Sequence, residues 1–351
     1  MPEFIAIPVG KGDAFYLNTG EKKILVDGGR SRCDFPEDFR KTTNETELDV
    51  VVCTHADADH SNGIIGLLRD NSNVSIGQIW LPAIWADRLR SLLTNSEKFF
   101  TELTQKIDDL HDENIPDSIS TFGDRCFEKK TKEPQDTPKR QKNEEEIDRI
   151  QNWLAGVEED DNKTIEILYP DILLTRHNLN TSLEMFDLSR AELKRMNLFY
   201  KAVAVANKIA TIATRAAKKG IKIRWFEYSS QSRGGESYLK PVNSVELSSL
   251  KVGRYNALEY LGLSSADKMS LVYNAPLEES GPPVLFSAES LFDFSNSIPW
   301  KNNMLITAPH HGSEANAVVY EKLEDYEENN EDINPVWVRS DSENHHRPCE
   351  E

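Results

Sequence analysis

His55-Ala56-Asp57-Ala58-Asp59-His60 packs four side chains able to bind a metal into six residues, directly after the apolar run Val50-Val51-Val52-Cys53. That run is short, β-branched and bounded by Asp49 and Thr54, the pattern of a buried strand. Two imidazoles and two carboxylates therefore fall in the turn where a strand ends. Ser61-Asn62-Gly63 continues the loop, and the apolar Ile64, Ile65, Leu67 and Leu68 predict a helix that starts there and holds the loop rigid. The alternative for the same residues is a solvated, helix-capping loop.

The same arrangement recurs elsewhere. Met304-Leu305-Ile306-Thr307-Ala308-Pro309-His310-His311-Gly312-Ser313 is a second apolar strand with histidines at its end. Ile24-Leu25-Val26 runs into Asp27-Gly28-Gly29, which is also good chemistry for a plain turn. Pro283-Val284-Leu285-Phe286-Ser287-Ala288 leads to Glu289, for which an ordinary surface carboxylate is the competing reading. A neutral imidazole can ligate, move a proton or contact a substrate near pH 7, so His311 is open to each of these roles.

In these residues the chain resembles the metallo-β-lactamase superfamily. The usual H-x-H-x-D-H signature reads here with Asp57 where the second histidine would stand. This variant looks like the hydrolase domain of ComEC-type competence proteins. Ile5 to Leu17 is similar to that family's opening strand pair. His310-His311-Gly312-Ser313 is similar to its late motif, and Pro335 to Ser340 followed by His345-His346-Arg347-Pro348 to its closing strand and loop; a solvated polar tail is the alternative for those last histidines. The family continues into a further helix where this chain stops at Glu351, which raises the expectation of a truncated chain or one region of a longer protein.

The resemblance implies an α/β fold, the four-layer αββα sandwich, with metals at one edge between two sheets. It implies a ligand set of His55, Asp57, Asp59, His60, Glu289 and His310, with Asp27 beneath the metals orienting their ligands. Asp59 and His311 are the expected catalytic residues. Glu289 stands where the family has a metal-bridging aspartate and is one methylene longer. Asp267-Lys268-Met269-Ser270-Leu271-Val272 resembles the family's Asn-x-x-Ser-Leu-Val, although a plain strand start fits it better. His111 and His177 are the candidates for a middle histidine ligand, and both read as polar surface.

One or two divalent metal ions are implied. An oxygen-rich ligand set moves the preference from zinc toward manganese without excluding zinc. Such ions activate water and can clamp the attacking and leaving oxygens of a phosphodiester. The leading expectation is therefore a phosphodiesterase or nuclease acting on DNA or RNA. A small-ester, lactone or cyclic-nucleotide hydrolase is a second reading, since one fold hosts several chemistries, and a catalytically decayed binding or regulatory subunit is a third.

Composition bounds these readings. A net charge of -18 repels a polyanion at long range, so nucleic acid would need a local basic surface. Arg215, Lys218, Lys219, Lys222 and Arg224 are candidates, as are Lys139, Arg140 and Lys142; ordinary solvated charges are the competing reading. An apolar content of 38% over 351 residues supports a substantial core. No stretch approaches the ~20 apolar residues that span a bilayer, so no membrane partner is expected. Cys33, Cys53, Cys126 and Cys349 show no paired spacing, which fits a reducing cytoplasm.

Family-like segments cover 1–85 and 220–351, and 86–219 reads as a charged and helical insertion, a candidate protein-partner surface. Charge runs predict disorder around 129–143. Residues 184–219 carry a long apolar helix ended by Gly220, and Ile221 to Phe226 alternates like a strand returning to the core.

Overall fold

The short apolar runs Ile24-Leu25-Val26, Val50-Val51-Val52, Val284-Leu285-Phe286 and Leu305-Ile306-Thr307 are strands. The computed structural model describes residues 2–132, 143–157, 189–277, 281–294, 298, 300–313, 316–322 and 334–340. The architecture is mixed α/β. The chain divides into two units: Met1–Ala83 with Lys219–Leu247 and Asp267–Glu351, and Ile84–Lys218 with Ser248–Ala266.

The first unit holds β1 (Glu3–Ala6), β2 (Phe15–Asn18), β3 (Lys23–Val26), α1 (Phe35–Thr43), β4 (Glu47–Val52), α2 (Ala58–Leu67) and β5 (Ser75–Pro82). It continues with β6 (Lys222–Tyr228), β7 (Lys240–Pro241), β8 (Ser244–Glu246), β9 (Tyr273–Ala275), β10 (Val284–Phe286), β11 (Leu305–Thr307) and β12 (Val336–Val338). One sheet has the order β1-β2-β3-β4-β5-β6-β8, the other β12-β11-β10-β9-β7. In the first sheet β3, β4, β5 and β6 run parallel; in the second β10, β11 and β12 do.

Parallel strands are covered on both faces and so read as continuous apolar runs. Val50, Val51 and Val52 are all fully buried. For the same reason Ile223 to Phe226 is buried without the alternation expected of it. Phe15, Val26, Val50, Val52 and Trp80 form one buried cluster with Tyr273, Val284 and Phe286 of the second sheet. Each such side chain contributes about 1.5–3 kcal/mol on burial. On the other face of the first sheet, Tyr16 meets Phe39 of α1 edge-on at 6.0 Å.

Arg224 is a cation inside this unit. Its side chain reaches Glu246 at 2.6 and 2.5 Å and Glu236 at 2.6 Å, and stacks 4.7 Å over Trp80. The expectation that Arg224 offers basic surface to a polyanion is therefore corrected: its donors are taken by acids. Lys219 is ion-paired with Asp70 at 2.8 Å.

The second unit contains helices Ala86–Thr94, Ser96–Asp108, Ile119–Lys132, Ile147–Ala155, Arg190–Lys218 and Ala257–Ser264. Its composition differs from the expected insertion 86–219 because Ser248–Ala266 belongs to it. Ser249–Val252 pairs with Asn143–Glu146, and a Cβ on Gly123 would overlap the carbonyl of Gly262. Asp87 accepts bonds from the Arg254 and Tyr255 backbone and the Arg254 guanidinium. The charged stretch expected to be disordered from 129 is helical through Lys132. His177, His345, His346, Cys349, Lys139, Arg140 and Lys142 lie outside the described residues. Among the described residues no helix is long and apolar enough to cross a membrane.

Candidate metal centre

Four strand ends of the first unit, two from each sheet, deliver acids and histidines to one place. β3 stops ahead of Asp27, β4 ahead of Thr54 and His55, β10 ahead of Glu289, and β11 ahead of His310 and His311. The antiparallel pairing of Phe15 with Val26 brings Asp13, just before β2, to the edge where Asp27 sits.

The helix expected at Ile64 starts earlier, at Ala58. Asp57 occupies its N-cap position with extended backbone, yet its side chain makes no capping bond. Asp59 and His60 lie in the first turn, where an acid is stabilised by the unsatisfied N–H groups. Gly63 lets this helix lie against the turn after β3: a Cβ there would overlap the carbonyl of Gly28, whose N–H donates to His60 O at 2.8 Å.

Each of three histidines has its Nδ1 fastened away from the centre. Thr54 Oγ1 donates to Asp27 Oδ2 at 2.7 Å and so accepts from His55 Nδ1 at 3.0 Å. His60 Nδ1 donates to Asp27 Oδ2 at 2.8 Å, and His311 Nδ1 to Asp13 Oδ1 at 2.8 Å. Fixing Nδ1–H in this way leaves Nε2 as the basic atom of each neutral ring.

All three Nε2 atoms point at Glu289. His55 Nε2 lies 3.2 Å from Oε2, His60 Nε2 3.3 Å from Oε1, and His311 Nε2 3.7 Å from Oε1. The His55 contact lacks hydrogen-bond alignment; among the described residues the buried His55 Nε2, His311 Nε2 and Asp13 Oδ2 have no hydrogen-bond partner. Ligand atoms of His55, His60 and Glu289 come within 4.8 Å of one another. The same holds for Asp13, His60 and His311, and for His55, Asp57, Asp267 and Glu289.

Charge explains what such a cluster needs. An isolated carboxylate taken from water costs several kcal/mol, and Glu289 is 4% exposed. Burial alone would raise its pKa, but the His55 and His60 imidazoles hold it well below the usual carboxylate range. Burial likewise opposes a charged His60, yet Asp27 and Glu289 push its pKa well above the ordinary histidine value. For Asp59 burial is again outweighed, by His60 and His311, so the carboxyl stays below its ordinary range. These shifts favour a proton on His60 beside ionised acids, and a divalent cation can take the place of such a proton. Buried Nε2 atoms lacking hydrogen bonds, with tethered Nδ1 atoms behind them, are donors suited to a metal; these clusters can hold one.

The backbone is held in unusual geometry around them. Asp27 (φ 60), Ala288 (φ 50), His310 (φ 49) and His311 (φ 58) are all left-handed, a state that costs a non-glycine residue about 1–3 kcal/mol. His310 N–H donates to Ala288 O at 3.0 Å, locking the two strand ends together. Consecutive left-handed histidines turn His311 inward to 1% exposure. His310 is a quarter exposed, its Nε2 3.8 Å from Glu289 Oε1.

The structure thus brings His55, Asp57, His60, Glu289 and Asp27 together, with Asp59 Oδ2 3.8 Å from His311 Nε2 and His310 at the margin. His311, not His310, enters a potential ligand group. Sequence marks Asp267 only through the segment that resembles Asn-x-x-Ser-Leu-Val, as a strand approach six residues ahead of β9, and does not mark Asp13 as a ligand, although a carboxylate directly before an apolar run is a readable signal. His111 is exposed and belongs to the second unit.

No protein family matches the chain, and no curated protein matches it. The chemistry of the site therefore carries the functional reading.

Proposed function

We propose that this protein is a metal-dependent hydrolase of the metallo-β-lactamase fold, a phosphodiesterase or nuclease acting on nucleic acid. The single observation behind this reading is the convergence of three histidine Nε2 atoms on Glu289, each with its Nδ1 tied to an oxygen outside the centre. Two sheets that share one buried cluster, with α1 on the far face of the first, support the four-layer αββα arrangement.

His55, Asp57, His60, Glu289 and His311 would hold one or two divalent cations, zinc or manganese. When bound, such cations acidify water and neutralise charge that develops on a phosphodiester. Asp27 and Thr54 keep His55 and His60 in the tautomer that presents Nε2. Asp59 stays ionised at neutral pH and accepts a proton or hydrogen bond from water at the site. His310, at the exposed margin, is the group positioned to meet substrate or protonate a departing oxygen.

Labelled single- and double-stranded DNA, incubated with the protein and added manganese or zinc, tests the reading beside Asp59→Ala. Cleavage by the parent and none by the variant is the expected result. A fully active Asp59→Ala protein overturns the assignment, and turnover confined to small esters replaces the polymer with a small-molecule substrate.

A further inference from the structure

Asp267 begins a short turn, Asp267–Met269, that sequence reads as no more than the approach to a strand. The backbone carries it elsewhere. Leu271 N–H donates to Thr54 O at 3.2 Å, so the segment after Asp267 is bonded to the residue that precedes His55. One ligand atom of Asp267 then lies within 4.8 Å of ligand atoms from His55, Asp57 and Glu289.

We infer that Asp267 is a metal ligand, and that with Asp57, Glu289 and His55 it forms an oxygen-rich cation position chemically distinct from the histidine-rich position of His60 and His311, whose Nδ1 atoms Asp27 and Asp13 hold from behind. This rests on the metal-dependent reading above and adds a ligand and a division of labour to it. One group offers three carboxylates and one imidazole; the other offers two imidazoles, with Asp13 bonded to the far side of His311.

Two side chains show that the first group is organised toward a ligand. His55 is 2% exposed, and among the described residues its Nε2 has no aligned hydrogen bond, although Glu289 Oε2 is 3.2 Å away. Asp57 stands at a helix N-cap, where an aspartate ordinarily turns back to an N–H, and does not do so. Carboxylate-dominated sites suit manganese or magnesium, whereas imidazole suits zinc. A divalent cation there would also compensate the buried Glu289 carboxylate. The two positions therefore select different cations, a hard one beside Asp267 and zinc beside His311.

The test is a competition. Protein stripped with a chelator is dialysed against equimolar manganese and zinc, and bound metal is read by plasma mass spectrometry and by the manganese electron paramagnetic resonance signal. The parent protein is expected to take up both metals. Asp267→Asn, close in shape to the parent residue, should retain zinc and lose manganese affinity by more than about tenfold, the lower end of what losing even a supporting partner costs. Asp267→His should replace manganese by a second zinc. Manganese binding unchanged in Asp267→Asn overturns the inference and leaves the metal-dependent reading standing. Uptake of zinc alone by the parent, which requires no variant to fold, overturns the division of labour. A parent protein that binds neither metal overturns the underlying reading as well.

Discussion

Asp13 and His311, 298 positions apart in the chain, are joined by a 2.8 Å contact between Asp13 Oδ1 and His311 Nδ1. The turn that carries Asp13 is itself fixed from the other end of the chain. Ser340 Oγ accepts from Ala14 N–H at 3.1 Å and donates to Gly12 O at 3.0 Å. Burial disfavours a charged His311, but Asp13 outweighs it and lifts the imidazole above its ordinary value.

Asp13→Asn keeps the side chain's size and removes its charge. Activity should fall about 10- to 100-fold, the usual consequence of losing a residue that orients a ligand. Far-ultraviolet circular dichroism should stay that of the parent. An unchanged kcat/KM would show that the orientation of His311 does not matter to turnover.

Gly12 has φ 98, and a Cβ there would run into the carbonyl of Asp59. Asp13 N–H donates to that same carbonyl at 3.1 Å. Gly12→Ala should therefore displace the first turn of α2 and lower both thermal stability and hydrolysis. The decisive comparison is with Gly10→Ala, where φ is also positive but no atom lies within 4 Å. Equal activity losses in the two variants would make backbone strain, not the approach to Asp59, the cause.

Glu289→Ala leaves His55, His60 and His311 without their shared acid. Removing one partner of a buried charge pair costs roughly 3–5 kcal/mol, so urea unfolding of the metal-free variant should show a loss of that order. Metal added at 100 times its Kd should stabilise the parent by about 2.7 kcal/mol and the variant by much less. Equal metal-induced shifts in melting temperature would remove Glu289 from the site.

Arg224 and Glu246 set an acid limit on stability. Burial raises the Glu246 pKa, but the Arg224 guanidinium and the Gly235 N–H outweigh it, so the carboxyl lies below its ordinary value. Its folded pKa is thus below the unfolded value of about 4.3, and its contribution is fully present above that pH and lost as pH falls through the folded value. Glu246→Gln should be less stable at neutral pH and should lose less stability on acidification. Parallel curves of melting temperature against pH would show that the pair carries no such linkage.

Local pattern was enough for much of this protein. Val50-Val51-Val52, Ile24-Leu25-Val26, Val284-Leu285-Phe286 and Leu305-Ile306-Thr307 announce strands because burial on both faces demands unbroken apolar runs, and chemistry-bearing residues stand directly after each. The long helix before Gly220 was legible for a similar reason, its apolar positions recurring at helical spacing.

Packing between distant segments decided the rest. Gly63 seats α2 directly against the Gly28 backbone in the turn after β3, a contact no local propensity indicates. Ser248–Ala266 joins the helical unit through strand pairing and a glycine contact, both long-range. Left-handed backbone at His310 and His311 turns the second histidine inward, although the two neighbours look equivalent in sequence. Asp13 and Asp267 reach the centre only through hydrogen bonds and strand register that span most of the chain. Metal-type chemistry depends on where Nε2 atoms and carboxylate oxygens meet within a few ångströms, and that distance is a property of packed strands rather than of spacing along the chain.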